Sequence, residues 1–219
     1  IKKYPNYELF HIFKSNKRLL LFLLEENMMI MDERIVKTII NNNEYINRGY
    51  PIYFQPEFQP FINEKWFPKY NKDNLWVESL KKELTDDFYE KRKIGENDSE
   101  ICQLIRKDSI EEFISYVNRN CCSLESNIKP SIYETNKLLR FSDTTFIEYA
   151  VFFGSIQIFN YLKQNGVKLD SSLWIYAVHS KDSEIINFLE ENKTLSSFEN
   201  IFIESIKCHH VDIAYYILE

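Results

Sequence analysis

The clearest signal of the fold is in TFIEYAVFFGSIQIFNYLKQNGVKLD, residues 145–170. Its first half places Ile147, Ala150 and Val151 at the i, i+3, i+4 spacing of one apolar helical face. Its second half repeats that spacing, and Gly154 between the halves can adopt the backbone conformation of a tight turn. The segment therefore predicts two short helices joined by a turn.

Two further segments align with this one without gaps. They are SLWIYAVHSKDSEIINFLEENK, residues 172–193, and NIFIESIKCHHVDIAYYILE, residues 200–219. One column always holds a small residue (Ala150, Ala177, Ser205), and equivalent positions are 27 and then 28 residues apart. A fixed period of this size is typical of repeat proteins, in which each helix pair packs on the next. We expect the small column where paired helices approach closely.

Two earlier segments are less regular copies. DSEICQLIRKDSIEEFISYVNRN, residues 98–120, fits the pattern with Leu104 in the small column, followed by an insertion at about 121–143. LFHIFKSNKRLLLFLLEEN, residues 9–27, is the weakest copy.

Helix start and stop signals agree with these copies. Thr145 with Glu148, and Ser109 with Glu112, fit the capping box, in which a hydroxyl and a carboxylate each accept a hydrogen bond from a backbone N–H. Asp182 is a favourable N-cap residue. Gly166 follows the second helix of its copy, where a left-handed residue is expected.

The 145–170 copy resembles the ankyrin repeat, which reads T-P-L-H-x-A-A, then G-H, a Leu-Leu helix and N-G-A-D-V-N. The shared columns are Thr145, Ile147, Ala150, Gly154, Ile158, Leu162, Asn165, Gly166 and Asp170. Phe146 replaces the usual Pro and Glu148 the His. The period is shorter than the ankyrin period of about 33 residues. The resemblance therefore implies an all-α fold, an ankyrin-like helical-repeat solenoid with short or absent β-hairpins.

From about residue 90 onward, the chain resembles a divergent ankyrin-like family of unassigned function that is expanded in parasitic protists. The segments that carry this resemblance are EKRKIGENDSEICQLIRKDSIEEFISYVN, IKPSIYETN, FIEYAVFFGSIQIFNYLKQNGVKLDSSLWIYAVHS and IESIKCHHVDIAYYI. The resemblance implies a solenoid without an assigned activity.

The predicted domain organisation has four parts. They are an N-terminal helical segment at 1–47 that reads as a degenerate repeat, a Pro- and aromatic-rich connection at 48–77, a charged helix and linker at 78–97, and repeats at 98–219. We expect the chain to be an excised fragment, because it starts at Ile1 and stops inside an amphipathic pattern, and we expect its last repeat to be truncated at the C-terminus. Whether 1–47 stacks on the same solenoid stays open.

The segment from Gly49 to Pro68 contains four of the six prolines, which predicts an extended connection. Its aromatic residues either pack the segment against the repeats or form an adhesive loop for a partner; they are Tyr53, Phe54, Phe58, Phe61, Trp66 and Phe67. A charged helix is predicted to follow at about 75–93.

Composition excludes several classes of protein. The formal charge is −6, whereas a general nucleic-acid binder usually carries an excess of basic residues. No run of about 20 apolar residues is present, so we expect no membrane span. The four cysteines (Cys102, Cys121, Cys122, Cys208) show no CxxC spacing. This spacing predicts reduced thiols in an intracellular, cytoplasmic protein.

No constellation of residues indicates catalysis. Neither glycine-rich phosphate loop occurs in the sequence. Cys208, His209 and His210 are consecutive, and consecutive helical side chains point about 100° apart, so the three cannot share one metal ion. The register assigns no acid or nucleophile to His179, and no His or Asn to the Cys121–Cys122 pair. We therefore expect no enzyme activity, no catalytic residue, no cofactor and no metal.

Ankyrin-type arrays contact their partners through the two positions before the turn glycine, as the resemblance implies. Here these positions are Phe152 and Phe153, His179 and Ser180, and Lys207 and Cys208. The alternative for the phenylalanines is burial under the insertion at 121–143.

The sequence thus predicts a non-catalytic protein–protein interaction scaffold with an unidentified protein partner and an undetermined oligomeric state. Two alternatives stay open: a targeting module of a larger enzyme or effector, and a self-associating structural protein.

Overall fold

The computed structural model of the protein describes residues 5–47, 49–61, 84–140, 143–192 and 198–218. Helices dominate these residues, which confirms the all-α prediction. The β-pairing found among them is a single isolated bridge between Asn127 and Thr145. The chain divides into two compact units: residues 1–97 with 131–137, and residues 98–130 with 138–219.

The first unit contains short helices in the order α1 (Asn6–Phe13), α2 (Lys17–Glu25), α3 (Glu33–Ile40), α4 (Asn43–Asn47), α5 (Tyr50–Tyr53), α6 (Gln55–Phe58), a 3-10 helix (Gln59–Phe61) and α7 (Asp86–Ile94). Side-chain caps start two of them. The side chain of Asn16 accepts a hydrogen bond from the Leu19 N–H, and that of Asp32 accepts one from the Ile35 N–H. Apolar residues of α1 to α6 form the core of this unit.

The predicted extended connection at Gly49 to Pro68 is wrong over the residues that the structure describes. Residues 50–58 form α5 and α6 because Pro51 and Pro56 each lie in the first turn of a helix. The first-turn N–H groups have no partner within a helix, so a proline there costs little. Tyr53, Phe54 and Phe58 are buried in the core of the first unit. Their burial contradicts an adhesive loop at these rings.

Two aromatic residues named for that segment, Trp66 and Phe67, lie outside the described residues, as does the predicted charged helix from residue 75 to 83. Its later part coincides with α7.

Residues 131–137, which the sequence assigns to an insertion in the repeats, belong to the first unit. The Thr135 N–H donates to the Gly95 carbonyl at 3.0 Å. The ammonium of Lys17, a side chain with no exposed surface, donates to the Ile132 carbonyl at 2.7 Å. Gly49 has φ +67°, and a Cβ there would lie 2.8 Å from Cγ2 of Ile132. The returning segment is therefore packed tightly against this unit.

The second unit contains helices that alternate along the chain. They are α8 (Glu100–Arg106), α9 (Ile110–Arg119), α10 (Phe146–Phe153), α11 (Ile156–Gln164), α12 (Leu173–Ser180), α13 (Ser183–Glu191), α14 (Phe198–Lys207) and α15 (Val211–Leu218). Each even-numbered helix packs on the helix that follows it. The even-numbered helices also pack side by side in the order α8, α10, α12, α14, and α9 packs on α11.

The predicted small column is buried between packed helices of this unit. Ala150, Ala177 and Ser205 each have no exposed surface, whereas Leu104 is half-buried. Side chains beyond a methyl or hydroxymethyl group would hold the neighbouring helices apart, since protein interiors are close-packed.

Each even-numbered helix is followed, one or two residues after its last residue, by a residue with a left-handed backbone. These residues are Asp108, Gly154, Lys181 and His209, with φ between 50° and 68°. Gly154 was predicted at such a turn, and Gly166 at the end of α11 also has positive φ, so both predictions are confirmed. The four turns occupy equivalent positions in the aligned copies.

The capping predictions have mixed outcomes. The capping box of Thr145 and Glu148 is confirmed, and Asp182 accepts a hydrogen bond from the Ile185 N–H. The box of Ser109 and Glu112 is wrong, because the Ser109 side chain makes no capping bond.

A cap from a neighbouring turn replaces a local one at the start of α11. The two carboxylate oxygens of Asp108 accept from the Gln157 and Ile158 N–H groups, each at 3.0 Å. The Ser155 hydroxyl, which precedes α11, instead donates to the Ile105 carbonyl at 2.6 Å. Sequence-local capping rules miss such an exchange between helix pairs.

Candidate interaction surface

The six residues predicted to contact a partner lie at the ends of α10, α12 and α14, three helices that pack side by side. We call these residues the turn row: Phe152, Phe153, His179, Ser180, Lys207 and Cys208. Each pair precedes a left-handed turn residue at an equivalent position. The structure therefore brings the predicted positions together at one edge of the second unit.

Phe152 joins two of these helix ends. Its ring stacks on the His179 imidazole with centroids 4.5 Å apart and an interplanar angle of 25°. Phe153 meets Phe152 edge-on at 4.9 Å and Tyr149 at 4.8 Å. The Arg106 guanidinium lies 5.8 Å from the Phe153 ring centroid. Both phenylalanines are half-buried, and these contacts are all with residues outside the insertion at 121–143.

Ser180 and Lys207 have different surroundings. The Ser180 hydroxyl donates to the Ala177 carbonyl and accepts from the Asp182 N–H, so it shapes its own turn. Lys207 has an exposed side chain whose ammonium lies 2.9 Å from Oε2 of Glu204. Within the turn row, Lys207 thus offers an accessible charge and Ser180 fixes local backbone geometry.

His179, Glu204 and Cys208 form a cluster between α12 and α14. Nε2 of His179 lies 3.2 Å from Oε1 of Glu204, and each side chain is 16% exposed. Sγ of Cys208 lies 3.6 Å from each nitrogen of the His179 ring. Glu204 and Cys208 are four residues apart, and the Cys208 N–H donates to the Glu204 carbonyl. We call these three residues the His–Glu–Cys cluster.

Burial and local charge set the protonation of this cluster. Burial lowers the pKa of His179 despite the opposing effect of Glu204. Burial raises the pKa of Glu204, but hydrogen bonding and charge from Lys207 and then His179 outweigh it, so the net pKa is lowered. Burial, followed by the Glu204 charge, raises the pKa of the Cys208 thiol. At neutral pH the arrangement is a neutral imidazole, a carboxylate and a thiol.

The consecutive residues Cys208, His209 and His210 follow the end of α14, so the helical spacing assumed for them does not apply. Cys208 faces His179, whereas His209 is an exposed residue with φ +57° at the turn. Cys121 is exposed and Cys122 is half-buried, and both are free thiols.

Sequence reasoning missed Glu204. The available signal was its position one helical turn before Cys208, because residues at i and i+4 lie on the same face of a helix. That signal becomes specific only when α12 is known to pack beside α14, which places His179 opposite the same face.

Comparison with protein families, curated proteins and solved structures gives no match. Within the described residues, no helix has the length and apolar character needed to cross a membrane.

Proposed function

We propose that the protein is a non-catalytic, intracellular interaction scaffold of the ankyrin-repeat type, located in the cytoplasm, which binds a protein partner through the turn row. The observation that carries the proposal is the stack of Phe152 on His179, because it links two helix ends into one continuous surface. Because the surface is formed by helix ends, its side chains are held in place by packed helices.

The arrangement of helices supports a repeat solenoid. Asp108, Gly154, Lys181 and His209 hold the same left-handed conformation at equivalent turns. Even-numbered helices α8 to α14 pack in chain order, as successive repeats in a solenoid do. A solenoid presents equivalent positions of its repeats along one edge, and this edge contains the turn row.

The side chains of the turn row suit protein recognition. Aromatic side chains contribute a large share of binding energy, and truncation of such a residue at an interface centre costs about 2 kcal/mol or more. Phe152 and Phe153 are half-buried, so their positions are set by Tyr149 and His179 before a partner arrives. A preorganised ring loses little conformational entropy on binding.

The test uses Phe152→Ala and Phe153→Ala variants; the second leaves the ring that stacks on His179 in place. A protein captured on the wild-type chain is purified, and its affinity for each variant is measured by calorimetry. Tyr215→Ala is the matched control, because Tyr215 is an aromatic residue of α15 that is 67% exposed and outside the turn row. We expect at least about a tenfold loss of affinity for the phenylalanine variants and none for the control.

Circular dichroism and thermal unfolding establish that each variant keeps the wild-type helix content. Equal affinity of the captured protein for wild type and both phenylalanine variants would contradict binding through the turn row. Lys207→Glu provides an independent variant, because its exposed side chain contributes little to folding and its charge reversal alters the same surface.

Self-association is a second candidate function, favoured by exposed apolar residues on the last helix pair. Ile203, Ile206, Val211, Tyr215 and Tyr216 are each at least 41% exposed. Exposed apolar residues on the α14–α15 pair provide a surface on which a second copy can stack. Light scattering that rises with protein concentration and is abolished in Ile206→Ser with Tyr215→Ser would favour this function over a monomeric scaffold.

A further inference from the structure

The His–Glu–Cys cluster is the one group among the described residues in which three side chains with metal-binding atoms converge. The imidazole, carboxylate oxygen and sulfur all lie within 4.8 Å of one another. They come from two helices, since His179 is on α12 and Glu204 is on α14, which Cys208 directly follows. Such convergence has to be explained either by hydrogen bonding alone or by a shared ligand.

Two distances within the cluster match edges of a zinc tetrahedron. Zinc bonds are about 2.0–2.1 Å to imidazole nitrogen, about 2.0–2.2 Å to carboxylate oxygen and about 2.3 Å to thiolate sulfur. Tetrahedral angles then place nitrogen and oxygen about 3.3 Å apart, and nitrogen and sulfur about 3.6 Å apart. The corresponding distances here are 3.2 Å from Nε2 to Oε1 and 3.6 Å from Nε2 to Sγ. Because Sγ also lies 3.6 Å from Nδ1, the Cys208 side chain has to rotate toward the Nε2 lone pair to share an ion with it.

The surroundings hold two of the ligands in place. Phe152 covers one face of the His179 ring, which restricts rotation of the imidazole. Lys207 binds Oε2 of Glu204 and thereby leaves Oε1 directed at His179. Outer contacts of this kind orient metal ligands and tune the affinity of a site.

The ligand set selects a class of metal. A sulfur and an imidazole suit zinc and similar transition metals, whereas magnesium and calcium require mainly oxygen ligands. The partial exposure of His179 and Glu204 gives an ion access from solvent. Three protein ligands also leave one tetrahedral position for water or for a donor from a partner.

We propose that His179, Glu204 and Cys208 bind one divalent transition-metal ion of the zinc class through Nε2, Oε1 and Sγ. The Cys208 thiol loses its proton to solvent when the metal–sulfur bond forms, so the bound ligand is the thiolate. The metal connects the end of α12 to α14 inside the turn row. This site goes beyond the proposed scaffold function and does not depend on the existence of a protein partner.

The experiment titrates the chelator-treated protein with Co²⁺ and then with Zn²⁺. We expect one Co²⁺ per chain, with the visible absorption of a tetrahedral ion and a thiolate charge-transfer band. Zn²⁺ should displace Co²⁺ and should protect one of the four cysteines from a thiol reagent. Mg²⁺ in excess should do neither, because the site offers one oxygen ligand.

Variants assign the site to the three residues. Cys208→Ser should remove the thiolate band, and Glu204→Gln and His179→Gln should each weaken Co²⁺ binding at least about tenfold. Cys122→Ser and His209→Gln are the matched controls, because Cys122 is another half-buried free thiol and His209 an exposed neighbour. Both controls should bind Co²⁺ as the wild type does.

Two results would overturn the proposal. One is the absence of stoichiometric Co²⁺ binding by folded wild-type protein, which would leave a hydrogen-bonded cluster without metal. The other is a thiolate band that persists in Cys208→Ser but is lost in Cys122→Ser. If Cys208→Ser fails to fold, Glu204→Gln decides the question, because it keeps the side-chain shape. Partner binding is not measured, so failure here is distinguishable from failure of the scaffold function.

Discussion

The first unit and the helix pairs of the second unit stabilise buried polar groups by different means. In the first unit, charged side chains lie inside the core: Lys17 has no exposed surface and Arg92 is 5% exposed. Within the described helix pairs of the second unit, the buried polar side chains are the hydroxyls of Ser155 and Ser205. Arg140 of the second unit is buried as well, but it lies outside those helix pairs. Charged groups of those pairs instead lie at helix ends, as Asp108 and Asp182 do.

This difference follows from how each unit is connected. The helix pairs of the second unit place residues that contact one another at a regular spacing, so a short cap or a small side chain completes each junction. The first unit joins residues that are distant in sequence, such as Lys17 with Ile132 and Arg92 with Glu57. Long side chains with charged ends can reach across irregular junctions. A buried charge is costly without partners, so the first unit should be the more sensitive to single substitutions at these junctions.

The largest expected effect is at Arg92. Its guanidinium bonds both carboxylate oxygens of Glu57, at 2.7 and 3.0 Å, and the Tyr53 carbonyl at 3.3 Å. Arg92→Met leaves the largely buried Glu57 carboxylate without this partner. Breaking a buried ion pair costs about 3 kcal/mol in the free energy of unfolding. Amide hydrogen exchange should accelerate in α5 to α7 and stay unchanged in α10 to α13.

A matched exposed pair provides the control for Arg92. Arg119 binds Glu100 at 2.9 Å, but both side chains are at least 60% exposed. Because exposed ion pairs contribute about 0–1 kcal/mol, Arg119→Met should leave the free energy of unfolding nearly unchanged. Equal losses from Arg92→Met and Arg119→Met would contradict the importance of buried charges in the first unit.

The second effect is at Lys17. Its ammonium donates to the Ile132 carbonyl and lies 5.0 Å from the Tyr53 ring centroid. Lys17→Met has similar volume but removes this charged donor, so the free energy of unfolding should fall by about 2 kcal/mol. Urea unfolding measures the loss. Lys37→Met, at an exposed position of α3, is the control and should have little effect.

The sequence predicts the helices of the second unit better than those of the first. Helical period and the caps at Thr145 and Asp182 are local, so the helices of the second unit followed from the residues that form them. The cap of α11 by Asp108 and the approach of Glu204 to His179 depend on which helix lies beside which. The sequence alone does not show which helices are neighbours, so these two contacts could not be predicted.

The first unit was harder to predict because its signals are ambiguous. The number of prolines, four, predicts an extended chain. Pro51 and Pro56 nevertheless lie in the first turns of helices, where a proline is tolerated. The burial of Lys17 has no local signal, since its neighbours at 19–24 are apolar on every side. Its carbonyl partner, Ile132, comes from a segment that the repeat pattern marks only as an insertion.

The third-largest expected effect is at Asp108, which caps α11 of the next helix pair. Asp108→Ala removes both hydrogen bonds to the start of α11 and places alanine at φ +50°. Loss of the cap and the strained backbone should lower the free energy of unfolding by about 1–2 kcal/mol. Hydrogen exchange should accelerate at the first turn of α11, which belongs to the next helix pair.

Asp182→Ala is the control for Asp108, because Asp182 caps its own helix. Asp182→Ala should lower the free energy of unfolding by about 1 kcal/mol. Amide hydrogen exchange should accelerate in α13. Acceleration confined to α8 and α9 in Asp108→Ala would show that the cap does not connect the two pairs.

The smallest effect concerns the turn residues themselves. His209 is exposed with φ +57°, a conformation that costs a residue with a Cβ about 1–2 kcal/mol. Glycine avoids this cost but loses more backbone entropy on folding. His209→Gly should therefore raise the free energy of unfolding by about 0.5 kcal/mol, seen as a higher urea midpoint with an unchanged slope.

Gly154→Ala is the reverse change at the equivalent turn. A Cβ there would lie 3.5 Å from Cβ of Ser180, which is ordinary van der Waals contact, so the cost is backbone strain rather than a clash. The free energy of unfolding should fall by about 1 kcal/mol. Opposite signs for the two substitutions would establish that the turns are interchangeable in conformation. A destabilised His209→Gly would instead mean that the imidazole makes a contact worth more than the strain it bears.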